Sequence, residues 1–470
     1  MAAPPAPNRD PAAFATLKHG IDLLQLGRFS EARLLIEQAR VGLGDRPDVL
    51  HFLAVCAMQS GDPKRAESLW KDAVGRDPRE PMLRFNLGLA LQALGQPDDA
   101  IREWRHAVRL DPLQLDARRN IAATLTGAGR LAAAEREYVD LLKAADAPEA
   151  QKRVPPEGLR MARAGARGAL AYVLYLLGRA DDAIVTYDAA LVDVPANDPG
   201  RPPLLGNKAL ALDVAGRAEE ALALVQEALT LAPDHARLLN CAGHILLRAG
   251  RAADAEASLR RAVQLDPGFG EAARNLAKAR GAQNDVAGAL DQLTQAHART
   301  PDDAETIYAL SSLSVDVGDA GRARSVLEPW LKDHPDDARA LNNLGIACGA
   351  AGDFDAAHKA LRKAQKLTPD EPFVLTNLAR TLTAMGRATE ASPLHRKALA
   401  RMPGDPRLLT HYALTQESLG DAAKARELYE AALTAAPGFP EAVAGLERMG
   451  VAVATPAEAV YSTKGPAFTL

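Results

Sequence analysis

One spacing constrains this chain more than any other feature. From Gly352 in "AAGDF", steps of 34 residues reach Gly386 and Gly420 going forward, and Gly318, Asn284, Gly250 and Gly216 going back. Gly178 follows after a step four residues longer and Gly129 after one fifteen residues longer, whereupon Gly95, Gly61 and Gly27 restore the period. A unit of that length cannot bury a hydrophobic face by itself, so the copies must stack and share their cores. The 470 residues are thereby accommodated by a growing stack, since one compact core stops growing well below that length.

Within each of the twelve copies the apolar pattern reads as two short amphipathic helices, with the marked glycine at the turn that ends the first. Such a turn needs a positive φ, which glycine reaches freely and asparagine next most easily, so Asn284 fits the same place. Five residues beyond each turn stands an alanine: Ala32, Ala66, Ala100, Ala134, Ala183, Ala221, Ala255, Ala289, Ala323, Ala357, Ala391 and Ala425. A small side chain there lets two helices cross closely. Proline closes ten copies, from Pro78 and Pro112 to Pro403 and Pro437, because it cannot continue a helix.

These residues together resemble the tetratricopeptide repeat family, over residues 13 to about 450. The resemblance implies an all-α fold, a right-handed superhelical solenoid of about twelve 34-residue helix-turn-helix repeats, with the first helices lining a concave groove. Expected divisions are a disordered segment 1–12, repeats one to four over 13–146, a looser repeat five with flanking insertions over 147–203, repeats six to twelve over 204–437, a capping helix over 438–452 and a tail over 453–470. Pro329 and Trp330 depart from the pattern late in copy nine, and a local distortion is expected there. The paired prolines Pro155 and Pro156 forbid a continuous helix through the first insertion.

Asparagine is a mediocre helix former, yet it recurs at one position of the first helix: Asn86, Asn120, Asn207, Asn275, Asn343 and Asn377, with Asn240 and Asn342 one residue earlier. A row of carboxamides can satisfy the backbone of an extended peptide without reading its side chains. In this it is similar to the asparagine ladder in the repeat domain of O-linked N-acetylglucosamine transferases, which implies a hold on substrate polypeptide. The competing account is that the carboxamides bond neighbouring helices to one another. Arg237, His244, Arg274, Lys278, Arg339 and Arg380 fall among them, a set suited to a carboxylate or an acidic segment. It resembles in kind the carboxylate clamp of chaperone-binding members of the family, without matching it fully; a charge-balanced solvated face is the alternative. Met82, Phe85, Tyr172 and Tyr175 form a candidate apolar groove for a partner's anchors.

No phosphate loop, metal-binding helix, nucleophile elbow or calcium loop occurs in the sequence. The acidic doublets at Asp98 and Asp99, and at Asp302 and Asp303, read as helix caps. Cys56, Cys241 and Cys348 are far apart and lie among apolar residues, so buried thiols are expected and a disulfide or zinc site is not. The net charge of -4 gives no argument for nucleic acid, and the basic residues of the insertion, Lys152, Arg153, Arg160, Arg163 and Arg167, lack interleaved aromatics. Neither a signal peptide nor a membrane-spanning run is visible, so a cytoplasmic location is expected. The expectation is a noncatalytic scaffold without cofactor or metal, holding an extended peptide or protein segment, with or without a free carboxylate. The alternative is a regulatory or substrate-presenting subunit of a separately encoded protein-modifying enzyme such as a glycosyltransferase. The end "GPAFTL" raises self-association through the tail.

Overall fold

The computed structural model describes residues 10–451. All 26 elements among them are helices, and they alternate as the period demands. Copy one pairs Pro11–Gln25 with Phe29–Leu43, copy eight Gly270–Ala282 with Val286–Arg299, and copy twelve Pro406–Ser418 with Ala422–Ala435. Pro440–Arg448 follows as the last helix among the described residues. The helix Pro11–Gln25 begins inside the segment expected to be disordered, and the anticipated tail lies outside the described residues.

The turn glycines adopt the left-handed conformation, from Gly27 at φ 74 to Gly420 at φ 78. Asn284, at φ 65, is the non-glycine residue with positive φ among the described residues. All twelve crossing alanines are fully buried, at 0% exposure. Opposite them sits a second small residue, and where it is glycine there is no room for more. A Cβ on Gly243 would come 2.3 Å from Leu259 Cγ, and one on Gly345 would come 2.4 Å from Leu361 Cγ. Burying leucines such as Leu259 and Leu293 completely stabilises the stack by about 2 kcal/mol each.

Two departures anticipated from proline take different forms. The helix Ala320–Asp333 runs unbroken through Pro329, and Trp330 is held by donating from Nε1 to Asp337 Oδ2 at 2.7 Å and stacking on His334 at 3.6 Å. The first insertion is interrupted as expected, into Pro148–Arg153 and Pro156–Leu176. Its side chains are engaged. Ala150 and Leu159 are buried with Ala145, Arg153 forms two bonds to Asp111 at 2.9 and 2.8 Å, and Arg167 pairs with Asp193 at 2.5 Å.

The described chain divides into two compact units, residues up to Pro233 and residues from Asp234. The boundary lies between copies six and seven, later than the expected break around copy five. The first unit therefore holds six copies and so does the second, which places Asn207 in the first unit, apart from the other candidate polar residues. In the second unit the first helices of successive copies touch one another, while its successive second helices show no comparable contact among the described residues. The first helices accordingly form the inner face of that unit.

Candidate functional site

In the second unit the asparagines fall at two adjacent positions of the first helices. Copies seven to twelve place Asn240, Arg274, Tyr308, Asn342, Thr376 and Thr410 at the earlier position, and Cys241, Asn275, Ala309, Asn343, Asn377 and His411 at the later. The carboxamides bond across copies in a 35-residue step. Asn275 Nδ2 donates to Asn240 Oδ1 at 2.9 Å, and Asn377 Nδ2 donates to Asn342 Oδ1 at 3.0 Å. Asn240 Nδ2 passes the chain on to Glu271 at 2.9 Å, and Asn343 Nδ2 donates to Ser311 Oγ at 3.2 Å. These contacts tie neighbouring first helices together, and Asn240 and Asn275 are 5% and 6% exposed. Each carboxamide offers two donors and two lone pairs, so those bonds leave capacity on the half-buried Asn342, Asn343 and Asn377.

The cations divide into paired and unpaired. Arg274 donates to Asp303 Oδ2 at 2.5 Å and to Thr306 Oγ1 at 3.1 Å. Arg339 donates to both oxygens of Glu305, at 2.8 and 3.0 Å, and lies over the Tyr308 ring at 4.4 Å. Asp303, expected to act as a cap, makes no capping bond at its helix start and serves Arg274 in its place. Tyr308 is buried and donates its hydroxyl to Asp337.

Lys278 is half-buried and Arg380 exposed, and neither has a hydrogen bond or ion pair with another described residue. Burial, and then the charge of Arg274, draw the Lys278 pKa down, opposed by Glu271 and Glu305. Those two carboxylates are already bonded to Asn240 and Arg339. Crowding by its neighbours lowers the Arg380 pKa although its surface is open; the ordinary value is so high that the guanidinium stays charged. Arg380 lines a cleft of about 260 Å³ with Asn377, Thr381, Ile346 and Phe354. Arg237 is exposed at the start of copy seven's first helix, and His244 is half-buried one turn before its end.

Beside Arg380 lies a polar cluster that the asparagine pattern does not mark. His395 is 1% exposed with neither ring nitrogen bonded, and Thr376 Oγ1, Thr410 Oγ1 and His411 Nδ1 are likewise buried without partners. The His395 ring stacks on Tyr412 at 5.5 Å. Burial, followed by the positive Arg380, lowers the pKa of His395 to about 3; His411 falls to about 3 for the same reasons, with His395 and Arg407 adding to it. A signal was available: His411 stands one 34-residue step beyond Asn377.

The first unit places its candidates in separate surroundings. Met82 lines a cleft of about 350 Å³ with His51, Phe52, Asp48, Asp77 and Glu80, so acidic groups share its walls. Phe85 is half-buried and its carbonyl accepts from Trp104 Nε1 at 3.0 Å. Tyr172, 42% exposed, stacks on Tyr175 with ring centres 6.3 Å apart and lines a second cleft, of about 450 Å³, with Asn207 and Leu204. Met82 and Phe85 lie on Pro81–Ala93, whereas the tyrosines lie on Pro156–Leu176. Among the described residues no group of three histidines, cysteines or acidic residues is placed to hold a metal. None of their helices is long and apolar enough to cross a membrane, and Cys56, Cys241 and Cys348 are buried free thiols.

Stacked helix pairs, lateral bonds between equivalent positions and a polar inner face define a helical repeat protein of the interaction-scaffold class. The chain belongs to the tetratricopeptide repeat family: models described as tetratricopeptide repeat match residues 17–81, 53–91, 85–150, 207–269 and 308–372, then 350–414 and 382–449, and a third matches 164–189. It is 29% identical over 97 residues to the photosystem I assembly protein Ycf3 of Prochlorococcus marinus (strain NATL1A), a match covering 19% of this chain and 54% of that one. The chain thus spans about half the length of the curated relatives it matches. Among solved structures it is similar to the APC/C hetero-tetramer Cut9-Hcn1, with a TM-score of 0.44 and 16% identity, covering 91% of this chain and 94% of that one. It is similar also to yeast Tom70, with a TM-score of 0.42 and 15% identity, covering 94% and 96%.

Proposed function

We propose that this protein is a noncatalytic interaction scaffold whose second unit holds an extended acidic segment of a partner along the inner face of copies eight to eleven. The observation that carries this reading is the pair Lys278 and Arg380, two groove cations without carboxylate partners among the described residues. For the half-buried Lys278 a charge without a counter-ion is costly, and an acidic ligand removes that cost, while the exposed Arg380 offers an open guanidinium to the same ligand. The spare carboxamide capacity of Asn342, Asn343 and Asn377 suits the backbone of the same segment. Arg274 and Arg339 are already neutralised and contribute shape and order. A role as the substrate-presenting subunit of a separately encoded enzyme would use the same groove and differ only in the step after capture.

The test is a fluorescence anisotropy titration of the full chain with a labelled twenty-residue peptide rich in glutamate, against its glutamine counterpart. The acidic peptide is expected to bind, its affinity falling as salt rises, and Lys278→Ala with Arg380→Ala together to weaken it at least about tenfold without loss of helix. Equal binding of the two peptides, or an unaffected double variant, would sink the reading.

A further inference from the structure

The inner-face position that carries Lys278 is occupied in successive copies by His244, Lys278, Ser312, Ile346 and Arg380. Between the two unpaired cations it therefore offers a hydroxyl and then an apolar side chain. Nothing cationic and unpaired intervenes: Arg274 is held by Asp303 and Thr306, and Arg339 by Glu305 and the Tyr308 ring. Three helix-to-helix steps separate the cations, from Gly270–Ala282 through Ala304–Asp316 and Ala338–Ala350 to Pro372–Ala384. Touching helices pack about 8–10 Å apart, so the steps sum to roughly 24–30 Å. An extended chain advances about 3.3–3.4 Å per residue, which converts that span to about seven to nine residues.

We propose that the groove reads a spacing: it selects segments in which two carboxylate side chains stand about seven to nine residues apart, one on Lys278 and one on Arg380. This inference rests on the acidic-segment reading and specifies its ligand. The two ends differ. At Lys278 the carboxylate meets an ammonium, a point charge tolerant of direction. At Arg380 it meets a planar guanidinium at the mouth of a cleft of about 260 Å³, beside the unbonded groups of Thr376, His395 and His411. A fork of that kind holds a carboxylate by two bonds and fixes its orientation. The Arg380 end therefore sets the register and the Lys278 end measures the distance.

Three blocked eighteen-residue peptides of serine and alanine, each with two glutamates four, eight or twelve residues apart, test this by titration of the full chain. The peptide with separation eight is expected to bind at least about tenfold more tightly than the others. Lys278→Ala should bring all three to one affinity, while Arg339→Ala, which removes a neutralised cation, should keep the preference. Equal affinities for the three peptides, all above that of a glutamine control, would overturn the spacing and leave the acidic-segment reading standing. Binding no better than the glutamine control for any of them would overturn both.

Discussion

Gly88→Ala should destabilise the first unit by about 2 kcal/mol or more, even though alanine is the better helix former by about 1 kcal/mol. Gly88 lies inside Pro81–Ala93, and a Cβ there would sit 2.3 Å from Nε1, 2.6 Å from Cδ1 and 2.8 Å from Cε2 of Trp104. The indole cannot swing aside. It is fully buried, and its N–H is committed to the Phe85 carbonyl at 3.0 Å. Gly75 supplies the control: it too lies inside a helix, Pro63–Arg76, but nothing stands within 4 Å of its Cβ position. Gly75→Ala should therefore stabilise by up to about 1 kcal/mol. Because repeat arrays unfold in parts, hydrogen exchange is the measurement, read across residues 81–110 for Gly88→Ala and across Pro63–Arg76 for Gly75→Ala. Protection that falls in Gly88→Ala and rises in Gly75→Ala meets the expectation; protection that is unchanged or rises in Gly88→Ala refutes the close crossing.

The second unit should lose stability as pH falls from about 7.5 to 5.5, by about 1.4 kcal/mol for each of His395 and His411. Their folded pKa values are lowered to about 3, whereas an unfolded histidine titrates near 6.5. Between those values the unfolded chain binds protons that the folded chain refuses. Stability is therefore full above about 6.5 and drains away as pH drops toward 3. The groups that face these rings sharpen the effect, for Arg380 lowers both and Arg407 lowers His411. Urea unfolding of the chain and of His395→Phe at the two pH values separates this source from other histidines. The variant should lose about half of the fall due to the pair, and an unchanged slope would mean that His395 is charged or hydrated in the native state.

The repeat was legible because its signals are local. A glycine at a positive-φ turn, an alanine at a crossing and a proline after a helix each act through the few residues around them, and Asn284 could be placed by the same rule. The positions of the asparagines were legible too, but their bonding was not. It runs from Asn275 to Asn240 and from Asn377 to Asn342, one residue out of the repeat frame, and depends on how neighbouring helices are offset. The neutralisation of Arg274 and Arg339 was hidden for a related reason. Asp303 and Glu305 stand at the start of copy nine, where an acidic residue is ordinarily explained by the helix dipole, and only packing shows that they serve arginines on either side. The break after Pro233 carries no insertion or composition change to announce it. Both insertions announce themselves loudly, yet the first is packed. His411 escaped attention because its residue type differs from the asparagines whose place it takes.

The central claim is that an acidic segment lies along the inner face of copies eight to eleven. Photo-crosslinking with the glutamate-rich peptide, bearing a photoreactive residue beside each of two glutamates eight apart, tests it most directly when the labelled sites are mapped by mass spectrometry. Crosslinks confined to the first helices Gly270–Ala282, Ala304–Asp316, Ala338–Ala350 and Pro372–Ala384, in one order along the peptide, are the expected result. Crosslinks concentrated on the second helices, or on the clefts around Met82 and Tyr172, would contradict it.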